Sequence, residues 1–246
     1  MEYLYIPKDE NDLSILLQEL IPGLELNVFG KLSNILIRDG GLSGLSILIP
    51  PEFKKITYQK QNILNVGSGI LDKEVAKKCI DLGVDGITLH PRPDHRHATS
   101  VDAINISKIC KDHNIEFNLE GNPFSLPDGD FMGFHELCVR SLPSQVTLVP
   151  DDILQITSDH GWQPGYRDAE LKDFISSLKE NHLRTSLFID ANIDSVEYAA
   201  QMGFDRIEIY TGPFADFLKD EDFVSFNTVS YTHLRAHETE ADLVCR

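Results

Sequence analysis

Short apolar segments alternate with longer amphipathic ones between residues 71 and 210, and this alternation constrains the fold more than any other feature of the sequence. The amphipathic segments have helical spacing: from Leu171 onward, apolar residues recur at i, i+3, i+4 and i+7. Short strands that alternate with helices form right-handed βαβ units on a parallel sheet. We therefore predict an α/β fold with a five-stranded parallel sheet in this part of the chain.

The bounds of these elements follow from apolar runs, capping residues and glycines. The predicted strands are residues 86–90, 115–119, 145–149, 185–189 and 206–210. The predicted helices are residues 71–82, 100–113, 130–141, 169–181 and 194–202. We expect Ser100 to cap the start of the second helix and Gly203 to end the last one.

The first 70 residues follow a different pattern, with one predicted helix at residues 11–20 and glycine-containing turns too short for a crossover helix. Strands connected in this way form a meander. The predicted strands are residues 25–29, 34–37 and 45–49. The change of connection near residue 70 predicts a boundary between an α+β fragment at residues 1–78 and a second domain at residues 79–226.

The last segment, VSYTHLRAHETEADLVCR, has neither a helical nor a strand period and lacks capping residues. It resembles the translation of an adapter used in sequencing libraries. We therefore interpret residues 227–246 as a non-native tail. His233 and His237 are four positions apart, but in such a tail we do not expect them to bind a metal.

The composition excludes several classes of protein. A formal net charge of −17 argues against nucleic-acid binding, which needs a broad basic face. No apolar run approaches the roughly 18–20 residues of a membrane span, and the acidic start lacks a secretory signal pattern. Four cysteines without CxxC spacing are typical of reduced thiols. We expect a cytoplasmic protein that binds neither nucleic acid nor membranes.

A cationic cluster follows the first strand of the predicted parallel sheet, in the segment GITLHPRPDHRH at residues 86–97. Its side chains are His90, Arg92, His95, Arg96 and His97. The two prolines between them exclude a helix, so we expect the cluster on an extended loop. Arginine suits phosphate or carboxylate groups, and imidazoles titrate near neutral pH. The cluster therefore predicts binding of an anionic small molecule and proton transfer on it.

Other polar side chains follow the remaining strands, and the carboxyl ends of parallel strands meet at one rim. Glu120 follows the second strand, where it either exchanges a proton with a histidine or caps a helix. Asp151 and Asp152 follow the third strand, and we interpret them as turn residues. A metal site made of the three histidines and Asp94 is an alternative, but the interleaved arginines oppose a cation, and we predict no metal.

Five ordered segments within residues 79–226 resemble pyridoxine 5′-phosphate synthase, the ring-closing enzyme of vitamin B6 biosynthesis. They are GITLHPRPDHRH, FNLEGNP, VTLVPDD with QITSDHGW, RTSLFID and RIEIYTGPFA. The resemblance implies a TIM barrel fold. It also implies a transferase activity that condenses 1-deoxy-D-xylulose 5-phosphate with 3-amino-2-oxopropyl phosphate to pyridoxine 5′-phosphate. It also implies a homo-octamer that uses no metal and no redox cofactor.

The same resemblance implies roles for individual residues. His90 matches the proton-accepting histidine of the family, and Glu120 matches a second proton acceptor. Arg92 and His97 match binders of the deoxyxylulose phosphate. Thr157 matches a further substrate contact.

Parts of the family pattern are not found in the sequence. The asparagine-rich motif of the first strand and its downstream arginine are missing, as is the later Asn-Ala-Gly-His-Gly type motif. In the family that later motif supplies the second catalytic histidine, the proton donor. We therefore expect a partial TIM barrel with five of eight strands, and a chain that is inactive on its own.

Residues 1–78 resemble the FAD-binding domain of UDP-N-acetylenolpyruvoylglucosamine reductase, an enzyme of peptidoglycan synthesis. Gly30, Ser33 and Asn34 match the Gly-x-Gly-Ser-Asn turn on the flavin pyrophosphate, whereas Leu32 replaces the second glycine. The resemblance implies FAD only for this fragment. It makes a fragment of a FAD-dependent UDP-N-acetylmuramate dehydrogenase the alternative function.

Two incomplete resemblances and an adapter-like tail indicate a chimera, which we expect to be joined within residues 77–83. A natural fusion is the alternative origin. A non-catalytic protein that binds phosphate esters is a third alternative for the function.

Overall fold

The computed structural model describes residues 2–29, 41–50, 53, 55–59 and 63–219. The chain divides into two compact units, Met1–Lys78 and Cys79–Arg246. The tail predicted at residues 227–246 lies outside the described residues. Among the residues that are described, no helix is both long enough and apolar enough to span a membrane.

The first unit contains a three-stranded sheet, a two-stranded sheet and a helix. Its elements are β1 (Tyr3–Tyr5), α1 (Glu10–Gln18), β2 (Leu26–Phe29), β3 (Leu45–Leu48), β4 (Ile56–Gln59) and β5 (Ile63–Val66). The three-stranded sheet has the order β1-β3-β2, and β4 and β5 form an antiparallel pair. Helix α1 begins after Asp9, whose carboxylate accepts a hydrogen bond from the Asp12 amide at 2.8 Å.

The predicted meander is wrong. Strand β3 pairs in parallel with both of its neighbours, and Leu45 is opposite Tyr3 on one side and Leu26 on the other. Apolar alternation predicts that a segment is a strand, but it carries no information on strand direction, and β1 was not predicted at all. The strand predicted at residues 34–37 and the proposed flavin contacts Gly30, Ser33 and Asn34 lie outside the described residues.

The second unit contains five strands and the helices that follow them. Helix α2 (Asp72–Asp81) runs across the boundary between the units. It is followed by β6 (Gly86–Leu89), α3 (Ser100–Asp112), β7 (Glu116–Gly121), α4 (Phe134–Ser141), β8 (Gln145–Leu148), α5 (Asp168–Glu180), β9 (Arg184–Asp190), α6 (Ile193–Met202), β10 (Arg206–Tyr210) and α7 (Gly212–Lys219).

The five strands form one parallel sheet whose order follows the sequence, β6-β7-β8-β9-β10. A helix connects each strand to the next. This winding is that of a TIM barrel, and the sheet is a curled half-barrel. The predicted α/β fold with a five-stranded parallel sheet is confirmed.

Local signals explain the bounds of the helices. Thr99, not Ser100, caps α3: its hydroxyl accepts from the Asp102 amide while the Asp102 carboxylate accepts from the Thr99 amide. Helix α6 ends at Gly203, which has a φ of 83°, as predicted. Helix α4 begins at Phe134, four residues later than predicted, since Asp128 and Phe131 first form an antiparallel bridge.

The two faces of the half-barrel differ in polarity. Apolar strand residues such as Leu119, Leu148 and Leu187 are fully buried. The predicted apolar face of α5, which begins at Leu171, is also buried. The alternate strand positions are polar, and Thr147 donates a hydrogen bond to Asn118 at 3.0 Å. The polar positions continue to the carboxyl ends of the strands, where the predicted site residues lie.

Candidate active site

The loop after β6 carries the cationic cluster and is folded back on itself. Pro91 pairs with Ala98 in an isolated parallel bridge. His95 has a φ of 55°, and its amide donates to the carbonyl of Arg92 at 3.0 Å, which closes a turn between them. The predicted absence of a helix in this loop is confirmed, but the prediction of an extended loop is wrong, because the chain turns back between Pro91 and Ala98.

His90 is the first residue after β6, and it lies between two carboxylates that belong to the next two strands of the sheet. Its Nδ1 is 3.4 Å from Oε1 of Glu120, at the end of β7. Its Nε2 is 3.8 Å from Oδ2 of Asp151, which follows β8. The side chains of His90 and Glu120 are only 15% and 14% exposed, so both contacts are largely shielded from water.

Arg92 is buried at the same rim, and its guanidinium holds the loop after β8. Nη1 donates to Oδ2 of Asp151 at 2.9 Å. Nη2 donates to the carbonyls of Asp152 at 2.7 Å and Gln155 at 3.0 Å. The Nε atom of Arg92 has no hydrogen-bond partner within the part of the chain that the structure describes. The arginine therefore ties the loops after β6 and β8 together.

Asp151 is the residue whose role the sequence did not predict. Besides the contact with Arg92, its Oδ2 accepts from the Ser158 hydroxyl at 2.8 Å, and its carbonyl accepts from the Asn122 side chain at 2.8 Å. The turn interpretation holds for Asp152, whose carboxylate accepts from the Leu154 amide, but it is incomplete for Asp151. Nothing in the sequence around Asp151 identifies this role, because its partner Arg92 is 59 positions away.

The structure places the other predicted site residues less centrally. His97 is exposed, and its ring centroid lies 5.8 Å from that of His90 in an edge-to-face arrangement. Thr157 is exposed on the loop after β8 and makes no hydrogen bond to His90 or Arg92 within the described residues. The described residues contain no group of His, Cys, Asp and Glu side chains that could hold a metal ion.

A small open cavity lies over this cluster. Its lining consists of His90, Pro91, Arg92, Pro93, Asn122, Ser125, Phe134, Asp151 and Ile153. An imidazole with a carboxylate on each side can accept a proton and pass it on.

Comparison with known families identifies the whole of α2 and nearly all of the second unit. Residues 72–244 match the family model described as pyridoxal phosphate biosynthesis protein PdxJ. The matched range begins before the predicted junction and extends into residues 227–246. The non-native origin of those last residues stays a prediction.

Curated relatives carry the same assignment. The pyridoxine 5′-phosphate synthase of Xanthomonas axonopodis pv. citri is 44% identical over 163 residues, which are 65% of this chain and 64% of that protein. The pyridoxine 5′-phosphate synthase of Xylella fastidiosa strain M12 is 47% identical over 141 residues, 57% of this chain and 54% of that protein. The chain thus spans less than two thirds of the length of these relatives.

Solved structures resemble the chain only distantly. A deoxyribose phosphate aldolase from Aeropyrum pernix is 14% identical, with a TM-score of 0.39 over 57% of this chain and 56% of that one. A D-psicose 3-epimerase from Clostridium cellulolyticum H10 is 11% identical, with a TM-score of 0.38 over 56% and 57%. Similarity at this level supports no conclusion on chemistry. By the match over residues 72–244, the chain belongs to the PdxJ family of pyridoxal phosphate biosynthesis proteins.

Proposed function

We propose that the rim of the half-barrel is part of the active site of a pyridoxine 5′-phosphate synthase. The reaction joins 1-deoxy-D-xylulose 5-phosphate to 3-amino-2-oxopropyl phosphate, and atom balance requires release of one inorganic phosphate and two water molecules per pyridoxine 5′-phosphate. The observation that carries the proposal is the approach of His90 to Glu120 across neighbouring strands, at 3.4 Å.

Ring closure of this kind depends on repeated proton transfer. The amine condenses with a carbonyl and loses water, a carbon next to a carbonyl or imine loses a proton, and the phosphate leaves before the ring becomes aromatic. Each step needs a group that accepts a proton and returns it. His90 is the proposed first proton acceptor, and Glu120 at its Nδ1 side is the proposed second one.

The remaining cationic groups are proposed to bind the substrates. Arg92 lines the cavity, and its buried Nε atom has no hydrogen-bond partner among the described residues. His97 lies next to His90, and Thr157 lies on the loop after β8. A proposed homo-octamer, a cytoplasmic location and the absence of a cofactor requirement follow from the family resemblance.

The five strands are proposed to be five of the eight strands of the family barrel. The Asn-Ala-Gly-His-Gly type motif is not in the sequence. A test of activity therefore needs a protein in which a complete relative supplies this motif. Residues 79–219 replace the aligned segment of the synthase from Xanthomonas axonopodis, which gives a protein that we call the hybrid synthase. We expect the hybrid synthase to release inorganic phosphate from the two substrates together and from neither alone.

Binding of the substrates without phosphate release would instead make this segment a phosphate-ester binder. If neither occurs in a folded hybrid synthase, the proposal is wrong. The unmodified chain serves as the comparison, and we expect no phosphate release from it.

Residues 1–78 are proposed to originate from a FAD-binding domain joined to the synthase segment in a chimera. Visible absorbance of bound flavin in the purified chain would support retention of FAD binding. Amplification of the source DNA with primers in the codons of residues 20–30 and 150–160 tests the chimera. A clean product that encodes the same junction would contradict it.

A further inference from the structure

The two carboxylates beside His90 lie in different surroundings. Glu120 contacts the imidazole and accepts no hydrogen bond from any other group among the described residues. Asp151 accepts hydrogen bonds from Arg92 and Ser158 on one oxygen and lies only 4% exposed. Two carboxylates whose surroundings differ in this way commonly have different roles at one site.

The geometry points to Asp151 as a positioning residue for His90. It fixes the Nε2 side of the ring, so that the Nδ1 side faces Glu120 and exchanges protons there. This inference rests on the proposed function, because it assigns the second carboxylate of the same site. It gives Asp151 no contact with the reacting atoms.

Asp151 is held from three directions. Arg92, from the loop after β6, and Ser158, from the loop after β8, both donate to Oδ2, at 2.9 and 2.8 Å. Asn122, just after β7, donates to the backbone carbonyl at 2.8 Å. A carboxylate anchored in this way has little freedom to follow a ligand, and it presents a fixed surface to the ring of His90.

The charge of Asp151 is opposed by a neighbouring cation. The guanidinium of Arg92 is in direct contact with Oδ2, whereas no cation other than a protonated His90 contacts Glu120 within the described residues. A carboxylate paired with arginine is a poor choice for accepting a proton, since the pair would be broken by protonation. Glu120 carries no such restriction.

Asp151 also has one acceptor position left. Its Oδ1 atom is buried and has no hydrogen-bond partner in the part of the chain described. A buried acceptor without a donor is costly. An N–H at Nε2 of His90 would direct a donor toward the same carboxylate, since Nε2 lies 3.8 Å from Oδ2.

The test is a spectroscopic measurement on the full chain. The chain is labelled with ¹⁵N at its nine histidines, and the ring nitrogen resonances are recorded at one fixed pH. The variant H90N assigns the His90 signals by their disappearance. We expect D151N to move the His90 ring nitrogen resonances, and D151E to restore them toward the wild-type positions.

Controls separate positioning from general damage. Asp152 is adjacent in sequence, but its carboxylate accepts from the Leu154 amide, so D152N removes the same charge without touching His90. His113 follows α3 and His182 follows α5, near the amino ends of β7 and β9 and so away from the rim, and their resonances should stay in place in every variant. Unmoved His90 resonances in a folded D151N protein, or an equal displacement by D152N, would overturn the inference.

If D151N does not fold, S158A takes its place, because it removes one hydrogen bond from Oδ2 and keeps the charge. Displaced His90 resonances beside unchanged His113 resonances support the inference, and unchanged His90 resonances overturn it. The measurement needs no turnover. An inactive hybrid synthase would therefore contradict the proposed function. The His90 resonances of the full chain would still test the role of Asp151.

Discussion

The Nδ1 atom of His90 lies 3.4 Å from Oε1 of Glu120, although the two residues end different strands of the parallel sheet. The pairing of β6 with β7 places Leu89 opposite Leu119, so the next residue of each strand meets at the rim. The sheet register therefore brings the two side chains together. Both side chains are mostly buried at this contact.

Replacement of Glu120 tests its role as proton acceptor. E120Q keeps the shape of the side chain but removes its basicity, and we expect the kcat of the hybrid synthase to fall about 10²- to 10⁴-fold with little change in KM. The measurement is the steady-state rate of phosphate release. E197Q, at an exposed position on α6, should leave the rate unchanged. Equal rates in the wild-type hybrid and E120Q would exclude this role.

Arg92 is expected to contribute to stability through its planar guanidinium. R92K retains the charge but cannot reach Asp151 and the two backbone carbonyls together, and unsatisfied buried acceptors cost about 1–3 kcal/mol in unfolding free energy. Urea unfolding followed by the fluorescence of Trp162, the single and fully buried tryptophan, measures this.

The matched control for that change is R140K. Arg140 is exposed and pairs with Glu136 at i,i+4 on α4, so its replacement should alter the unfolding free energy by about 0.5 kcal/mol or less. A loss for R92K no larger than for R140K would show that the buried hydrogen bonds of Arg92 add no stability.

Asp205 links the starts of β9 and β10 in a pH-dependent way. Burial raises the pKa of Asp205, but hydrogen bonds from the Thr185 amide and hydroxyl and the charge of Lys179 outweigh burial, so its pKa lies below the ordinary value. A lowered carboxyl pKa stabilises the fold above the ordinary pKa of an aspartate, and this stabilisation is lost as the pH falls through the lower, folded value.

The stability advantage of wild type over D205N should therefore be present at neutral pH and shrink in acid below the ordinary aspartate pKa. Unfolding curves recorded along a pH series measure the difference. D173N, at an exposed position on α5, should give a difference that does not change with pH in this way. An advantage that grows as the pH falls would show that the sign is wrong.

The sequence predicted all five strands of the half-barrel to within one or two residues at each end. The reason is that buried strands are marked by apolar runs and their helices by caps and glycines, signals that lie within a few residues of each other. The parallel pairing of β2 with β3 was missed, because strand direction depends on the path of the intervening chain.

The candidate site was predictable where a side chain carries its own chemistry and not where its role comes from a distant partner. His90, Arg92 and Glu120 were found from residue type and position at strand ends. Asp151 was interpreted as a turn residue, since its partner Arg92 is 59 positions away and nothing local to residue 151 indicates that contact.

The most direct test of the account is the rate of phosphate release by the hybrid synthase with H90N. His90 is the proposed proton acceptor, and we expect its replacement to lower kcat about 10²- to 10⁴-fold. H135N alters an exposed histidine on α4, which bonds Ser177 at 2.7 Å, and should leave kcat unchanged. Phosphate release by the H90N hybrid at the rate of the H135N hybrid would contradict the account.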